Sequence, residues 1–269
     1  MSASNPFFAP RTVLITGASS GIGLELSRLF ARDGYRLVLV ARNRGALRQV
    51  ATDLQSQYSA EVWISPKDLA HPASPLELHQ ELQESGIALD VLVNNAGFGA
   101  RGAFLDIDWS REAEMLQVNI VALTHLTKLF LPQIVAREGK VLNVASTAGF
   151  LPGPYMAVYY ASKSFVLHFT EALAEELSGT GATVTCLCPG PVETNFQKRA
   201  GSADTNLLKS PLLVDAGEVA RVGYEGMKAG KRLVIPGWKN RAVVDALRVS
   251  PRKVAVKAVS RLHEKKGSN

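Results

Sequence analysis

The sequence predicts a single α/β domain: a doubly wound parallel sheet of about seven strands with helices on both faces. Short β-branched apolar strands alternate with helical stretches from residue 11 to residue 188. A glycine-rich turn separates the first strand from the first helix, as a dinucleotide-binding turn requires. No linker is long enough to divide the 269 residues into two domains, so 1–269 reads as one.

Arg11-Thr-Val-Leu-Ile-Thr16 is the first strand, and Leu24–Arg32 has helical periodicity. Between them runs Gly17-Ala18-Ser19-Ser20-Gly21-Ile22-Gly23. Glycines there let the backbone approach a pyrophosphate, and the helix N-terminus offers N–H groups and a positive dipole end. The spacing is G-x-x-x-G-x-G, not the commoner G-x-G-x-x-G. The other reading is a loop that simply turns the chain.

Arg36–Ala41 is the second strand, and Arg42 follows it with Arg44 close behind. An acidic residue at that strand end would bind the ribose 2′-hydroxyl of NAD. An arginine matches a 2′-phosphate by charge-assisted, often bidentate hydrogen bonds, which points to NADP(H). A solvated arginine at a helix start is the alternative. The alternation then continues. Helices are expected at Gly45–Gln57, Pro75–Ser85, Ser110–Ala136 and Val158–Leu177. Strands are expected at Glu61–Ser65, Asp90–Asn94, Lys140–Ala145 and Thr183–Cys188.

Tyr159 and Lys163 are four residues apart, so on a helix they share one face. A fixed ammonium beside a phenol favours phenolate and lowers the tyrosine pKa from its usual ~10. Tyr160 has Ser164 at that spacing, and Tyr155 has no lysine there. A helix turn with a surface lysine would show the same spacing.

Together these residues resemble the short-chain dehydrogenase/reductase family, from about Thr12 to Thr194 with a final strand near Arg232–Pro236. The resemblance rests on Thr16-Gly17-x-x-x-Gly21-Ile22-Gly23, Asp68-Leu69, Asn94-Asn95-Ala96-Gly97, Asn119, Ser146, Tyr159-x-x-x-Lys163 and Pro189-Gly190. It implies a Rossmann-type fold and an NADP-dependent oxidoreductase that interconverts a carbonyl and an alcohol. Tyr159 would be the general acid in reduction and the base in oxidation. Lys163 would hold the nicotinamide ribose hydroxyls. Ser146 would hydrogen-bond the substrate oxygen as negative charge develops. Asn119, at a local kink in its helix, would bind a water that joins Lys163 to a proton relay. Asp68 and Leu69 would meet the adenine, and Asn95-Ala96-Gly97 the adenosine ribose side. Pro189, Gly190 and Val192 would close over the nicotinamide, with Thr194 reaching its carboxamide or the phosphates. Ser19, Ser20 and Ile22 complete the turn. Ser20 stands where family members often carry a basic residue, which leaves Arg42 as the main reader of the 2′-phosphate. A catalytically silent NADP(H) sensor or scaffold is the competing class, but all four active-site residues are present.

The segment 194–214 loses periodicity and reads as a substrate lid. Phe98, Phe150, Leu151, Met156 and Phe196 are expected around the pocket, which argues for a hydrophobic carbonyl over a sugar. The two long helices carry more apolar surface than one sheet face covers, as at Val121, Leu126, Leu129, Phe165, Phe169 and Leu173. In the family such helices pair across a two-fold axis, so a homo-oligomer is expected: a dimer first, a tetramer second.

Charge is concentrated at one end. Lys and Arg number 30 against 24 Asp and Glu, and Arg241–Lys266 holds eight of the basic residues and two of the acidic ones. The remainder is balanced at 22 of each, so the body has no basic excess that would suggest a nucleic-acid binder. The extension, about 238–266, carries a helical apolar stripe of Val254, Ala255, Ala258, Val259 and Leu262 with basic residues opposite. Packing on the body with a solvated basic face is the plainest reading. An anionic membrane surface, and steering of an acidic substrate such as an acyl thioester of coenzyme A, are the others. No uninterrupted apolar run approaches the ~20 residues of a membrane span, and the first ten residues lack signal-peptide character. Cys186 and Cys188 would face one way on a strand about 7 Å apart, as core thiols in a reducing, cytoplasmic setting. A two-cysteine metal site is the weaker reading.

Overall fold

A computed structural model describes residues 10–192 and 212–263. Seven strands form one parallel sheet: β1 (Thr12–Thr16), β2 (Arg36–Ala41), β3 (Val62–Pro66), β4 (Val91–Asn94), β5 (Lys140–Val144), β6 (Thr183–Leu187) and β7 (Leu233–Val234). Their order is β3-β2-β1-β4-β5-β6-β7. The winding reverses between β1 and β4, and the crevice beyond the carboxyl ends of those strands is where such sheets take ligands. All seven expected strands are present, β7 shorter than the sequence suggested.

Helices α1 (Gly21–Arg32), α2 (Arg44–Tyr58) and α3 (Ser74–Glu84) follow the first three strands. The apolar alternation within each strand sorts the core into two layers. Val13, Ile15, Leu37 and Leu39 face α1 and α2 through Leu26, Phe30, Leu47 and Leu54. Leu14, Val38 and Leu92 face the other way, toward Leu78 and Leu82 of α3. Phe30 is enclosed edge-to-face by Tyr35 and Tyr224 at 5.0 and 4.8 Å between centroids.

The expected helix at 110–136 is interrupted. It runs as α4 (Trp109–Leu116), a π-helical turn over Gln117–Ala122, then α5 (Leu123–Ala136). By length and apolar composition this continuous helix is able to cross a membrane. Here Leu126, Phe130 and Ile134 are buried against the sheet, so it serves as a core helix. Helix α6 (Ala157–Glu176) packs beside it. Where α5 and α6 cross the sheet, buried amides and hydroxyls bond to one another, with Asn94 Oδ1 left without a partner. Asn94 Nδ2 donates to Asn143 Oδ1 at 2.9 Å and to Thr127 Oγ1 at 3.0 Å, and Asn143 Nδ2 donates to Thr170 Oγ1 at 3.0 Å. Each unpaired partner in such a network would cost about 1–3 kcal/mol.

Helix α7 (Ala216–Lys228) was not legible. Gly217, Gly223 and Gly226 depress its helix propensity by roughly 1 kcal/mol each. Packing explains two of them. A Cβ at Gly223 would lie 2.6 Å from Leu187 Cδ2, and one at Gly226 would run into Val234. The helix is stabilised by the close approach its glycines allow, and by Asp215, which accepts from Gly217 N and Glu218 N at 2.8 and 3.1 Å.

The extension folds into α8 (Trp238–Val249) and α9 (Arg252–His263). Val244, Ala255 and Val259 are buried, so part of the expected stripe docks on the body. Val254, Ala258 and Leu262 remain exposed. Cys186 and Cys188 are free, buried and on one face, with Sγ atoms 3.5 Å apart. Among the described residues no group of three or more His, Cys, Asp or Glu side chains is placed to hold a metal.

Candidate active site

At the carboxyl edge of β1 the chain turns through Gly17 and Gly21, both at positive φ of 67° and 57°. Only glycine adopts that conformation without strain. A Cβ on Gly23 would run into the Gly17 carbonyl, so the turn closes on itself. Asn95 fastens it: Nδ2 donates to the carbonyls of Thr16 and Gly17 at 2.9 and 3.3 Å. Thr16 Oγ1 accepts from Asn95 N and Ala96 N at 2.9 and 3.0 Å. The Asn95 amide donors are thus engaged with the turn, a bracing role that the ribose assignment did not anticipate.

The start of α1 is left open. Its N-cap, Ser20, makes no side-chain capping bond, and no acidic residue stands in the first turn. Ser19, Ser20 and Ile22 are half-buried around it. Free N–H groups at a positive dipole end suit a phosphate. At the end of β2, Arg42 is exposed, with its guanidinium 4.0 Å from Asp68 Oδ2. A contact that long and solvated holds the arginine weakly and leaves its donors available. Asp68 Oδ1 accepts from Ala70 N at 3.0 Å, and Leu69 is buried behind it. The turn, the open helix start and the loosely held Arg42 together fit a phosphorylated dinucleotide.

Ser146 follows β5 in extended conformation. Its Oγ accepts from Ala148 N at 3.1 Å and opens a 3₁₀ turn over Thr147–Phe150. The same hydroxyl lies 3.3 Å from the Pro189 carbonyl and hydrogen-bonds Tyr159. One hydroxyl proton serves one acceptor at a time, so Ser146 can be turned toward the phenol or away from it.

Tyr159 and Lys163 stand one turn apart on α6, both buried. Lys163 Nζ donates to the Val144 carbonyl at 2.9 Å and lies 5.9 Å from the Tyr159 ring centroid. The expectation that this ammonium depresses the phenol pKa is reversed. Burial pushes Tyr159 up to about 12, offset in part by the Ser146 hydrogen bond. Burial also pushes Lys163 down to about 8, while the Cys186 and Cys188 thiols pull it the other way. Desolvation outweighs the spacing argument because both groups are enclosed, which a helical interval does not reveal.

Asn119 sits in the π-helical turn, and its side chain is fully used. Oδ1 accepts from Phe98 N at 3.1 Å, while Nδ2 donates to Phe98 O and to Ser162 Oγ at 3.0 Å each. Ser162 Oγ in turn donates to the Tyr159 carbonyl at 2.7 Å. Ser162 was not anticipated, since no interval rule marks a serine that faces inward from a helix. A Cβ on Gly97 would lie 3.0 Å from Asn119 Oδ1 and 3.4 Å from Lys163 Nζ, so this loop must be bare.

Tyr160 packs on the same apolar cluster as Tyr159, the two rings edge-to-face at 6.1 Å between centroids, and the Gly153 backbone approaches Tyr160 so closely that a Cβ there would collide with the ring. Phe98 and Met156 join Tyr159, Ala148 and Met115 in one apolar cluster, with the Arg111 guanidinium 4.2 Å over the Phe98 ring. Phe150 does not. It packs with Val166, Leu167, Cys186 and Cys188 on the far side of the 3₁₀ turn, because the turn rotates it away from the tyrosine. Leu151 is half-buried beyond it. Thr194, Phe196 and most of the segment 194–214 lie outside the described residues. Pro189 and Gly190 are buried at the end of β6, where a Cβ on Gly190 would run into Asn240. Val192 pairs with Val214 in an isolated bridge. Asn240, which bonds the carbonyls of Leu212 and Pro236 at 3.1 and 3.2 Å, had no signal in the sequence.

Such a fold, with a dinucleotide turn at the switch point and an enclosed Ser–Tyr–Lys group beside it, is that of a dinucleotide-binding protein of the Rossmann type. The sequence model of the short chain dehydrogenases matches residues 11–205, and the chain belongs to that family. It is 33% identical to the ketoacyl reductase HetN of a Nostoc species over 68% of this chain and 63% of that protein, and so spans under two thirds of that relative. An uncharacterized oxidoreductase of Myxococcus xanthus is 31% identical over 94% of this chain and 97% of its own. A short-chain dehydrogenase from Sphingobium yanoikuyae, solved with NADPH, superposes with a TM-score of 0.80 at 33% identity, covering 88% of this chain and 92% of that one.

The Lys163 shift has a consequence for stability. An unfolded lysine keeps its proton up to about 10.5, whereas the buried one releases it near 8. Between those values the unfolded chain binds more protons, so stability rises with pH, and below 8 the buried ammonium is a constant cost. Lys163→Met removes that cost, on the order of 3 kcal/mol before the lost hydrogen bond is counted. The variant should gain Tm relative to the parent at pH 7, and the gain should shrink by pH 9.5. Thermal melts at both pH values check this; a difference independent of pH would contradict an enclosed, low-pKa ammonium.

Proposed function

We propose that this chain is an NADPH-dependent carbonyl reductase that converts a hydrophobic ketone or aldehyde to the alcohol, reversibly, with Tyr159 as the proton donor. The observation that carries the reading is the hydrogen bond between Ser146 and Tyr159 at the wall of an apolar cluster. A nicotinamide, when bound, supplies the hydride. Ser146 turns its hydroxyl to the substrate oxygen and steadies the growing negative charge. Tyr159 passes its proton to that oxygen. Its high pKa keeps the phenol protonated at neutral pH, ready to donate. Lys163 binds the nicotinamide ribose and brings positive charge to the phenolate left behind. The π-helical turn at Asn119 shifts the backbone from the α-helical pattern, the kind of break through which a carbonyl is offered to a relay water.

The ketoacyl reductase relative supports a carbonyl substrate, and Phe98, Met115 and Met156 around Tyr159 support a hydrophobic one. Tyr159→Phe should abolish ketone-dependent NADPH oxidation, read at 340 nm, while NADPH still binds. Tyr160→Phe should leave most of the rate, since its ring packs under Gly153. The reverse pattern would overturn the assignment, and tight NADPH binding without turnover on any carbonyl would favour a sensor.

Arg42 reads the 2′-phosphate. Its exposure beside an open helix start supports this, as does the NADPH held by the Sphingobium relative. Removing a charge-assisted contact forfeits on the order of 1.5–3 kcal/mol. NADPH should be preferred over NADH by at least about tenfold in kcat/KM, and Arg42→Ala should largely erase that. An unchanged ratio would exclude Arg42 as the reader.

The enzyme acts as a homodimer through α5 and α6. Val121 and Phe165 stay exposed on that face, and Phe165 stacks on Phe169 with 5.7 Å between centroids. Light scattering should return twice the 28.9 kDa chain mass. A fully active monomer would refute the interface.

A further inference from the structure

The surface formed by α8 and α9 is unlike the rest of the molecule. Between Trp238 and His263 stand seven basic residues, Lys239, Arg241, Arg248, Arg252, Lys253, Lys257 and Arg261, against the single acid Asp245. Elsewhere the chain is balanced, so the positive potential of the protein is concentrated here.

Helix α9 shows how that charge is arranged. Ala255 and Val259 are buried at 3% and 2% exposure and fix which side meets the body. Val254, Ala258 and Leu262 recur every four residues and form a second apolar stripe that the body does not cover. Lys253, Lys257 and Arg261 recur at the same interval one position earlier, all exposed. An uncovered apolar stripe therefore runs directly beside a basic one. Helix α8 repeats the combination: Trp238 is 77% exposed with Lys239 Nζ 5.8 Å over its ring, and Val243 is exposed on the following turn.

We propose that α8 and α9 form the face by which this protein lies on an anionic lipid bilayer. The apolar stripe and the Trp238 ring enter the headgroup boundary, and the flanking Lys and Arg side chains reach anionic headgroups along their own aliphatic stems. Charge decides against the other occupants. A second copy docked by a two-fold axis would set seven basic residues against seven. A nucleic acid would use the cations but leave Trp238, Val254 and Leu262 with nothing to cover them. A bilayer with acidic headgroups satisfies both stripes at once. The inference does not depend on the carbonyl chemistry, since binding is read without turnover.

The test is co-sedimentation of the full chain with vesicles of phosphatidylcholine alone and of phosphatidylcholine with phosphatidylglycerol in equal parts. Binding to the anionic vesicles, weakened by added salt, is expected, with little binding to the neutral ones. A basic residue near an anionic surface contributes on the order of fivefold in affinity. The triple variant Lys253→Ala, Lys257→Ala, Arg261→Ala should lose on the order of a hundredfold by the same scale, and Trp238→Ala several-fold. All four positions are exposed and outside the catalytic group, so turnover of a water-soluble ketone should be unchanged. Binding to neither vesicle, equal binding to both, or undiminished binding of the triple variant would overturn the proposal. So would a triple variant whose oligomeric mass changes, because the face would then be a subunit contact.

Discussion

The side-chain amide of Asn119 ties together three parts of the structure that are distant in sequence. Its oxygen and nitrogen close on both backbone groups of Phe98, in the loop after β4, and its second donor reaches Ser162 on α6. Ser162 is bonded to the carbonyl of Tyr159 in the turn below. The π-helical turn is what points Asn119 at these partners, since a regular α-helix would distribute residues 117–122 differently around the axis. Loop, α4–α5 and α6 therefore share one buried, saturated polar group. Leaving any arm of it unpaired would cost more than the bond itself contributes.

That anchorage makes the enclosed lysine possible. A buried ammonium is expensive, and among the described residues Lys163 donates one hydrogen bond, to the Val144 carbonyl. It stays in place because α6 is pinned on both sides: by Asn119 through Ser162, and by Gly149, whose lack of a side chain lets the 3₁₀ turn rest on the Lys163 carbonyl. The site thus holds an amine whose pKa is near working pH and a phenol that retains its proton well above it. Two neighbouring groups displaced in opposite directions by the same desolvation are a general route to acid–base function.

The two halves of the crevice follow different rules. On the cofactor side the backbone does the work, with positive-φ glycines, an uncapped helix start and an asparagine used as a brace. Side chains matter there chiefly by being absent, as at Gly17, Gly23 and Gly97. On the Tyr159 side the Asn119 amide, the Ser162 hydroxyl and the Lys163 ammonium are all committed to partners. The exposed Arg42 is the exception on the first side, and the Ser146 hydroxyl, with its two acceptors, is the mobile element on the second.

Much was legible without coordinates, because some physical constraints act over short spans of chain. Strand alternation, the glycine turn and the Tyr159–Lys163 interval are local periodicities, and they yielded six of the seven strands, the parallel sheet and the shared face of Tyr159 and Lys163, while the seventh strand came from the family resemblance. Helix α7 was hidden because its glycines argue against a helix locally, and only Leu187 and Val234, far away in sequence, explain them. Phe150, at the end of the 3₁₀ turn, packs with Val166 and Leu167 and not with Met115 and Met156, a grouping that sequence spacing does not reveal. Ser162, Asn240 and the bracing role of Asn95 depend on partners tens of residues distant. The direction of the Tyr159 shift needed the same information: sequence spacing gives the nearest charge, but burial is a property of the whole fold, and here burial is the larger effect.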